Sequence, residues 1–195
     1  MPLAESLSIA LKEWHVVCRA LESGRQVILL RKGGILESST GFEVEHPKFL
    51  MFPTYLHQNL NMLKSEAHTE FEPHSSEPAK ITLSCAAQVT DIIRLKYREQ
   101  MNALDFEHIW TDPLIDMRFN YKPQNPLYLL IVRAYKLSQP VTIDNTPQYA
   151  GCKSWVPLEQ PIACGEAAPA MDDRAYESAR QRIKARLGDL NSAGG

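Results

Sequence analysis

The sequence predicts an α+β domain in which a mixed or partly open, barrel-like sheet is flanked by helices and followed by an appended helix. Three observations carry this expectation. Helical periodicity and β-rich runs follow each other irregularly, which disfavours a doubly wound parallel sheet. The longest apolar run, residues 127–134, is strand-sized and contains Arg133. After Pro161 the composition changes to an Ala, Gly and Pro stretch and then a charged helical pattern. At 195 residues with 44% hydrophobic and 23% charged residues, the chain is long enough to bury a full core. The expected organisation is one α+β domain over 1–162, with a linker and charged helix over 163–195.

In chain order, Leu3, Leu7, Ala10, Leu11, Trp14, Val17, Cys18 and Leu21 recur at helical spacing and predict an amphipathic helix that stops near Gly24. Val27 to Leu30 is continuously apolar, the pattern of a strand buried on both faces. Arg31 and Lys32 lead into the Gly33-Gly34 pair, a turn or a close backbone approach. Residues 42–46 alternate as a strand. Residues 49–52 form a second short strand, ended by Pro53, with Thr54 capping a helix over 55–64. Residues 65–79 are polar and proline-bearing, hence a solvated loop. The alternation from Lys80 to Val89 predicts a half-buried strand. Residues 96–106 resemble a helix, and 105–112 are ambiguous. Residues 127–137 are a strand bracketed by Pro126 and Pro140, and 141–143 extend the β layer. Residues 149–158 turn into a short strand. In 172–187, acidic residues at the start and basic residues near the end suit a helix dipole. The apolar stripe there (Ala175, Ala179, Ile183, Leu187) is thin, as in a lightly docked helix.

Lys plus Arg total 21 against 23 Asp plus Glu, a net charge of -2. That balance excludes a bulk polybasic nucleic-acid coat, so anion binding would need a local patch. No apolar run reaches the ~18 residues of a membrane span. The first residues lack a signal-peptide pattern, so a cytoplasmic location and no membrane partner are expected. Cys18, Cys85, Cys152 and Cys164 form no C-x-x-C pair and are expected as structural thiols. No motif calls for a cofactor or a bound metal.

The first candidate constellation runs from Gly24 to Gly34. Arg31 and Lys32 close a buried strand, and the Gly33-Gly34 backbone would let an anion approach. No phosphate-cradling G-x-x-x-x-G-K-[ST] or G-x-G-x-x-G pattern is present. The second comprises Glu43, Glu45 and His46, followed by Tyr55 and His57. Convergence of the carboxylates and imidazoles would make a metal or acid–base site, and local hydrogen bonding is the bland alternative. Restriction-type nucleases need a D/E-x-K triplet on a strand, and 45–48 is one residue too long. Trp14, Tyr55, Trp110, Tyr121, Tyr128, Tyr135 and Trp155 offer rings for base stacking or for the core. Arg133 and Tyr135 share a strand face. Ser154 lacks an accompanying triad pattern.

A helix, a glycine and a strand ending in arginine resemble the ASCH domains, a branch of the PUA-like barrels with the signature G-x-K-x-x-E-x-R. Gly24 and Arg31 match, whereas Gln26 and Leu29 stand at the Lys and Glu positions. The resemblance implies a PUA-like barrel that binds RNA or nucleotides, without any activity that needs the Lys–Glu pair. Over roughly 7–160, residues 11–14 with Val17-Cys18, 26–34, 44–46 with 52–54 and 57–58, and 151–156 resemble a bacterial family known as domain of unknown function 1802. That family has no established activity. Occurrence of members beside restriction-type modules implies nucleic acid, RNA or DNA, as a partner.

The expectation is therefore a non-catalytic module for nucleic acid or a nucleotide-like anion. Its ligand-binding residues would be Arg31, Lys32, Gly33, Gly34, Glu45, His46, Tyr55 and His57. The alternative is a metal-assisted phosphodiesterase or nuclease using Glu43, Glu45, His46 and His57. A third possibility is a partner-binding module acting through the C-terminal helix.

Overall fold

The computed structural model describes residues 3–33, 35–38, 41–151 and 153–192. Strand β1 (Ser6–Trp14) runs directly into helix α1 (His15–Glu22), then β2 (Ile28–Arg31) and a hairpin of β3 (Ile35–Ser38) and β4 (Gly41–Val44). Strand β5 (Lys48–Thr54) leads to 3₁₀ turns at Leu60–Met62 and Ser65–Glu70. The long strands β6 (Lys80–Leu95) and β7 (Leu127–Asp144) enclose a 3₁₀ segment (Arg98–Glu107) and helix α2 (Asp112–Asn120). After a turn at Pro147–Tyr149 come β8 (Trp155–Ala163), the two-residue β9 (Ala168–Pro169) and helix α3 (Asp173–Ser192).

The main sheet has the order β2-β7-β6-β5-β1-β8, and β9 pairs with β7. Strands β1 and β5 are parallel and the remaining pairs antiparallel. This is the expected α+β class: a mixed, open sheet, flanking helices and a C-terminal helix. The sheet is also curled. Glu13 on β1 and Arg31 on β2 share a face but are four strand spacings apart, about 19 Å on a flat sheet. Their charged ends nevertheless lie 3.8 Å apart, which requires the two sides of the sheet to bend toward each other.

Each face carries a core. One cluster joins α1, β2, the first half of β7, α2 and α3, and the other joins β8, Leu50, Phe52, Ile81, Leu83, Tyr135 and Leu137. Because β1 lies between β5 and β8 and is covered on both sides, Ala10 packs into one cluster and Leu11 into the other. This corrects the expected N-terminal helix. A strand buried on both faces can mimic helical spacing over residues 7–14. Helix begins only at His15, where Val16, Val17, Cys18, Ala20 and Leu21 turn inward. It ends in Ser23-Gly24, with Gly24 at φ +75°.

Other departures have similarly local causes. Pro53 lies inside β5 rather than ending it. Beyond Leu50 that strand is paired only by β1, so a residue without an N–H is tolerated. Thr54 caps no helix; its hydroxyl donates to the Glu13 carbonyl (3.1 Å), and 55–64 is turn and 3₁₀ backbone. The loop at 65–79 is anchored by the fully buried Ala67. Pro140 interrupts no strand, since residues 137–140 fall in a register shift of the β6–β7 ladder. Residues 98–107 are 3₁₀ rather than α-helical, and α2, which has a proline in its first turn, was not anticipated. The strands foreseen at Val27–Leu30 and over 127–137 are present. Helix α3 is docked firmly, burying Tyr176, Ala179, Ile183 and Leu187 in the larger cluster.

Candidate functional site

The cations expected to meet phosphate are already engaged. Arg31 is only 9% exposed. Its guanidinium lies 3.8 Å from Glu13 Oε2, and that of Arg118 on α2 lies 3.9 Å from Glu13 Oε1. Burial pulls the Arg31 pKa down, and Glu13 opposes the shift. One carboxylate thus holds two guanidinium groups across the curl of the sheet. Lys32 Nζ donates to the carbonyls of Phe119 (2.8 Å) and Lys122 (3.3 Å), tying the end of β2 to α2. Gly33 is exposed, with open space where a Cβ would sit, so no close approach demands glycine there. Gly34 lies outside the described residues. Gln26 is buried: its amide donates to the Ile28 carbonyl and accepts from the Ile109 N–H. Leu29 is fully buried. The positions matching the signature Lys and Glu are therefore structural.

The second constellation is divided. Glu45 and His46 are neighbours (3.6 Å) just before β5, with the His46 ring edge-on to Trp155 at 5.2 Å. Tyr55 and His57 follow the other end of that seven-residue strand, about 20 Å away at strand rise. His57 is exposed on a turn. Glu43, Glu45, His46 and His57 do not converge, and no group of three or more His, Cys, Asp and Glu suited to a metal occurs among the described residues.

Tyr55, among the expected residues, lines a groove of about 490 Å³. It is lined by His15, Cys18, Arg19 and Glu22 of α1 and, beside them, by Thr69, Glu70 and Glu72. Met51, Pro53, Thr82, Ser84, Cys85 and Pro140 complete the lining. Sequence reasoning missed this groove because its walls come from α1, β5, β6 and the 65–79 loop. The histidine–tyrosine–histidine composition was visible but scattered across sixty residues.

The Tyr55 ring stacks on His15 (centroids 4.8 Å, planes 21° apart) and meets His74 at 4.6 Å. Glu77 fixes the backbone here by accepting from the N–H groups of Tyr55 and Leu56. The carboxylates differ in how fully they are engaged. Glu22 is bound by Arg19, and Glu70 by Arg25. Glu72 is 57% exposed; its Oε2 lies in hydrogen-bond contact with His74 Nε2 at 3.5 Å, and its Oε1 is 4.0 Å from His15 Nε2. Burial lowers the His15 pKa, and Glu72 raises it in part.

The candidate nucleophiles of the groove are held protonated. Burial pushes the Cys18 thiol well up and Cys85 to about 12. The Tyr55 phenol is pushed to about 12, again chiefly by burial. Cys18 Sγ faces the Glu13 carbonyl at 3.8 Å, so its hydrogen bond is to backbone. Cys18, Cys85 and Cys164 are free and buried, and Cys152 lies outside the described residues. The Arg133 guanidinium does sit beside the Tyr135 ring (5.8 Å), but α3 covers the pair through Asp173 and Tyr176. Trp14, Trp110 and Tyr128 are buried.

Residues 10–182 match the domain of unknown function DUF1802. The chain belongs to this family. The DUF1802 match starts within β1 and runs into α3, so it includes α1, the groove and the first half of the C-terminal helix. No curated protein matches. Among solved structures, the ASCH protein of Zymomonas mobilis is similar at 11% identity, with 91% of this chain and 93% of that one covered and a TM-score of 0.43. A point mutant of the same protein gives 10% identity, 78% and 90% coverage and a TM-score of 0.45.

Proposed function

We propose that this DUF1802 chain is a non-catalytic binding module for nucleotides or single-stranded nucleic acid that engages the base rather than the phosphate. The observation that carries the reading is the groove of about 490 Å³ beside Tyr55, where a planar ring would take the place of His74, which meets the Tyr55 ring at a tilt. A planar heterocycle gains about 1–3 kcal/mol from an aromatic partner, largely independent of its sequence context. The hydroxyls of Thr69, Thr82 and Ser84 and the carboxylates of Glu70 and Glu72 supply polar contacts for base edges.

The electrostatics speak for the base end. The lining holds Glu22, Glu70 and Glu72 against Arg19, whose head is on Glu22. Such a groove repels a phosphate, so the phosphate of a nucleotide would project outward. The protonated state of Cys18, Cys85 and Tyr55 supports binding over nucleophilic catalysis.

The test is equilibrium binding of nucleosides, nucleoside monophosphates and a short single-stranded RNA to the full chain. Nucleosides should bind at least as tightly as their monophosphates, with little dependence on salt. Tyr55→Ala should weaken binding about tenfold, as expected for the loss of one stacking ring. A steep fall of affinity with salt would show that phosphate contacts dominate and would overturn the assignment to this groove, as would a Tyr55→Ala variant that binds unchanged.

A further inference from the structure

The two histidines against Tyr55 are held in different ways. His15 is the first residue of α1, its side chain is only 13% exposed, and its ring lies 21° from the plane of Tyr55. His74 sits on irregular backbone, its ring is tilted by 53° at 4.6 Å from Tyr55, and 32% of its side chain is exposed. Its hydrogen bond to Glu72 Oε2 is long, 3.5 Å, and that carboxylate is itself largely in water. Releasing this contact leaves no buried group unpaired, so it costs little.

The segment carrying His74 is tied down on either side of it. The Glu72 carbonyl accepts from Gln58 Nε2 at 3.4 Å. The Glu77 carboxylate accepts from the N–H groups of Tyr55 and Leu56, and the Pro78 carbonyl accepts from Asn145 Nδ2 at 2.9 Å. Pro73, Ser75 and Ser76, between these ties, are exposed. His74 can therefore leave the ring by a local rearrangement of 73–76 that keeps both ties. His74 does not line the groove, but it touches two residues that do, Tyr55 and Glu72. Its departure would join the freed face of Tyr55 to the groove.

We propose that residues 73–76 form a displaceable strap and that His74 is an internal stand-in for the bound ring, covering Tyr55 until a base replaces it. This inference rests on the base-binding reading above and adds the regulation of that site. The competition is intramolecular. A ligand binds only those molecules in which His74 is off Tyr55, and its apparent affinity falls by that fraction. For an aromatic pair of ordinary strength the reduction is about three- to tenfold. Positions 55 and 74 thus act in opposite directions: removing the first ring weakens binding, and removing the second strengthens it.

The experiment titrates the full chain, His74→Ala and His74→Trp with adenosine by calorimetry. His74→Ala should bind about three- to tenfold more tightly than the parent. His74→Trp, which sets a larger ring against Tyr55, should bind more weakly. Melting curves of both variants should stay within a few degrees of the parent, because the strap buries little. A second measurement follows the strap directly. Proton NMR contacts between the Tyr55 and His74 rings should be present in the free protein and lost at saturating adenosine, while those between Tyr55 and His15 persist. Unchanged or weaker binding by His74→Ala, tighter binding by His74→Trp, or Tyr55–His74 contacts that survive saturation would overturn the strap and leave base binding standing. Absence of adenosine binding by both the parent and His74→Ala overturns both.

Discussion

Glu13 is the residue on which the curled sheet depends most directly. It is 6% exposed and faces Arg31 and Arg118, so its removal would leave two guanidinium groups near one another without their shared anion. Breaking a buried ion pair from one side costs about 3–5 kcal/mol. Glu13→Ala should lower the urea unfolding free energy by that order, and adding Arg31→Met should recover part of the loss. A loss below about 1 kcal/mol would show that the pair is not needed to hold the curl. His108 sets the acid sensitivity. It is 4% exposed, and its Nδ1 accepts from the Trp110 N–H at 3.2 Å. Burial, with the Lys64 charge adding to it, lowers its pKa to about 4 from an ordinary 6.5. The unfolded chain therefore binds the proton more readily, and stability falls as pH drops from about 6.5 to about 4. The full linkage is worth about 3 kcal/mol at most. Unfolding free energies at pH 7 and pH 4 should differ by that order in the parent, and the difference should shrink in His108→Gln.

Helix α3 is the element whose role is clearest from its contacts. Asp91 on β6 accepts two hydrogen bonds from Arg180 and one from Lys184. Glu107 accepts from Arg182, with Arg186 beside it. Desolvation pushes the Asp91 carboxyl up, but the hydrogen bonds from Arg180, Lys184 and Thr90 outweigh it and bring the pKa to about 2. This group contributes stability above its ordinary pKa near 3.8 and loses the contribution as pH falls toward 2. Asp91→Asn should cost up to about 2 kcal/mol at pH 7, less after screening of the partly exposed Lys184. The difference from the parent should vanish near pH 2, which chemical unfolding across that pH range measures. The basic residues of this helix are largely committed to the body of the protein and do not form a free cationic face. The charge run was legible in the sequence, but the carboxylates that meet it were not, because Asp91 and Glu107 are far away along the chain.

At the scale of the whole molecule, α3 shares the larger apolar cluster with α1 and the sheet. Tyr176, Ile183 and Leu187 pack with Leu21, Val27 and Ala134 in the same cluster, and the backbone before α3 is fixed where the Ala170 N–H donates to the Ala134 carbonyl. Ending the chain at residue 170 would uncover that core. With about 1.5–3 kcal/mol for each large apolar side chain, the melting temperature should fall by more than about 10 °C. A truncated chain that melts within 3 °C of the parent would show the helix to be dispensable for the fold. The same curl decides the site: it takes Arg31 inward to Glu13 and leaves the α1–β6 groove as the open, acidic cavity. No helix among the described residues is long and apolar enough to cross a membrane.

The sequence by itself determined the α+β class, the buried β2 and β7 runs and the C-terminal helix. These features depend on local periodicity and on side-chain chemistry, which are written along the chain. Tertiary structure alone decided that residues 6–14 form a strand. Burial on both faces gives apolar neighbours at i and i+1, a pattern shared with a helix. It also decided that Arg31 is a structural cation. Whether a guanidinium meets solvent or a carboxylate depends on a partner eighteen residues earlier, brought close only by the bending of the sheet. The groove has the same origin, since its histidine, tyrosine and carboxylates come from segments that only the folded sheet assembles.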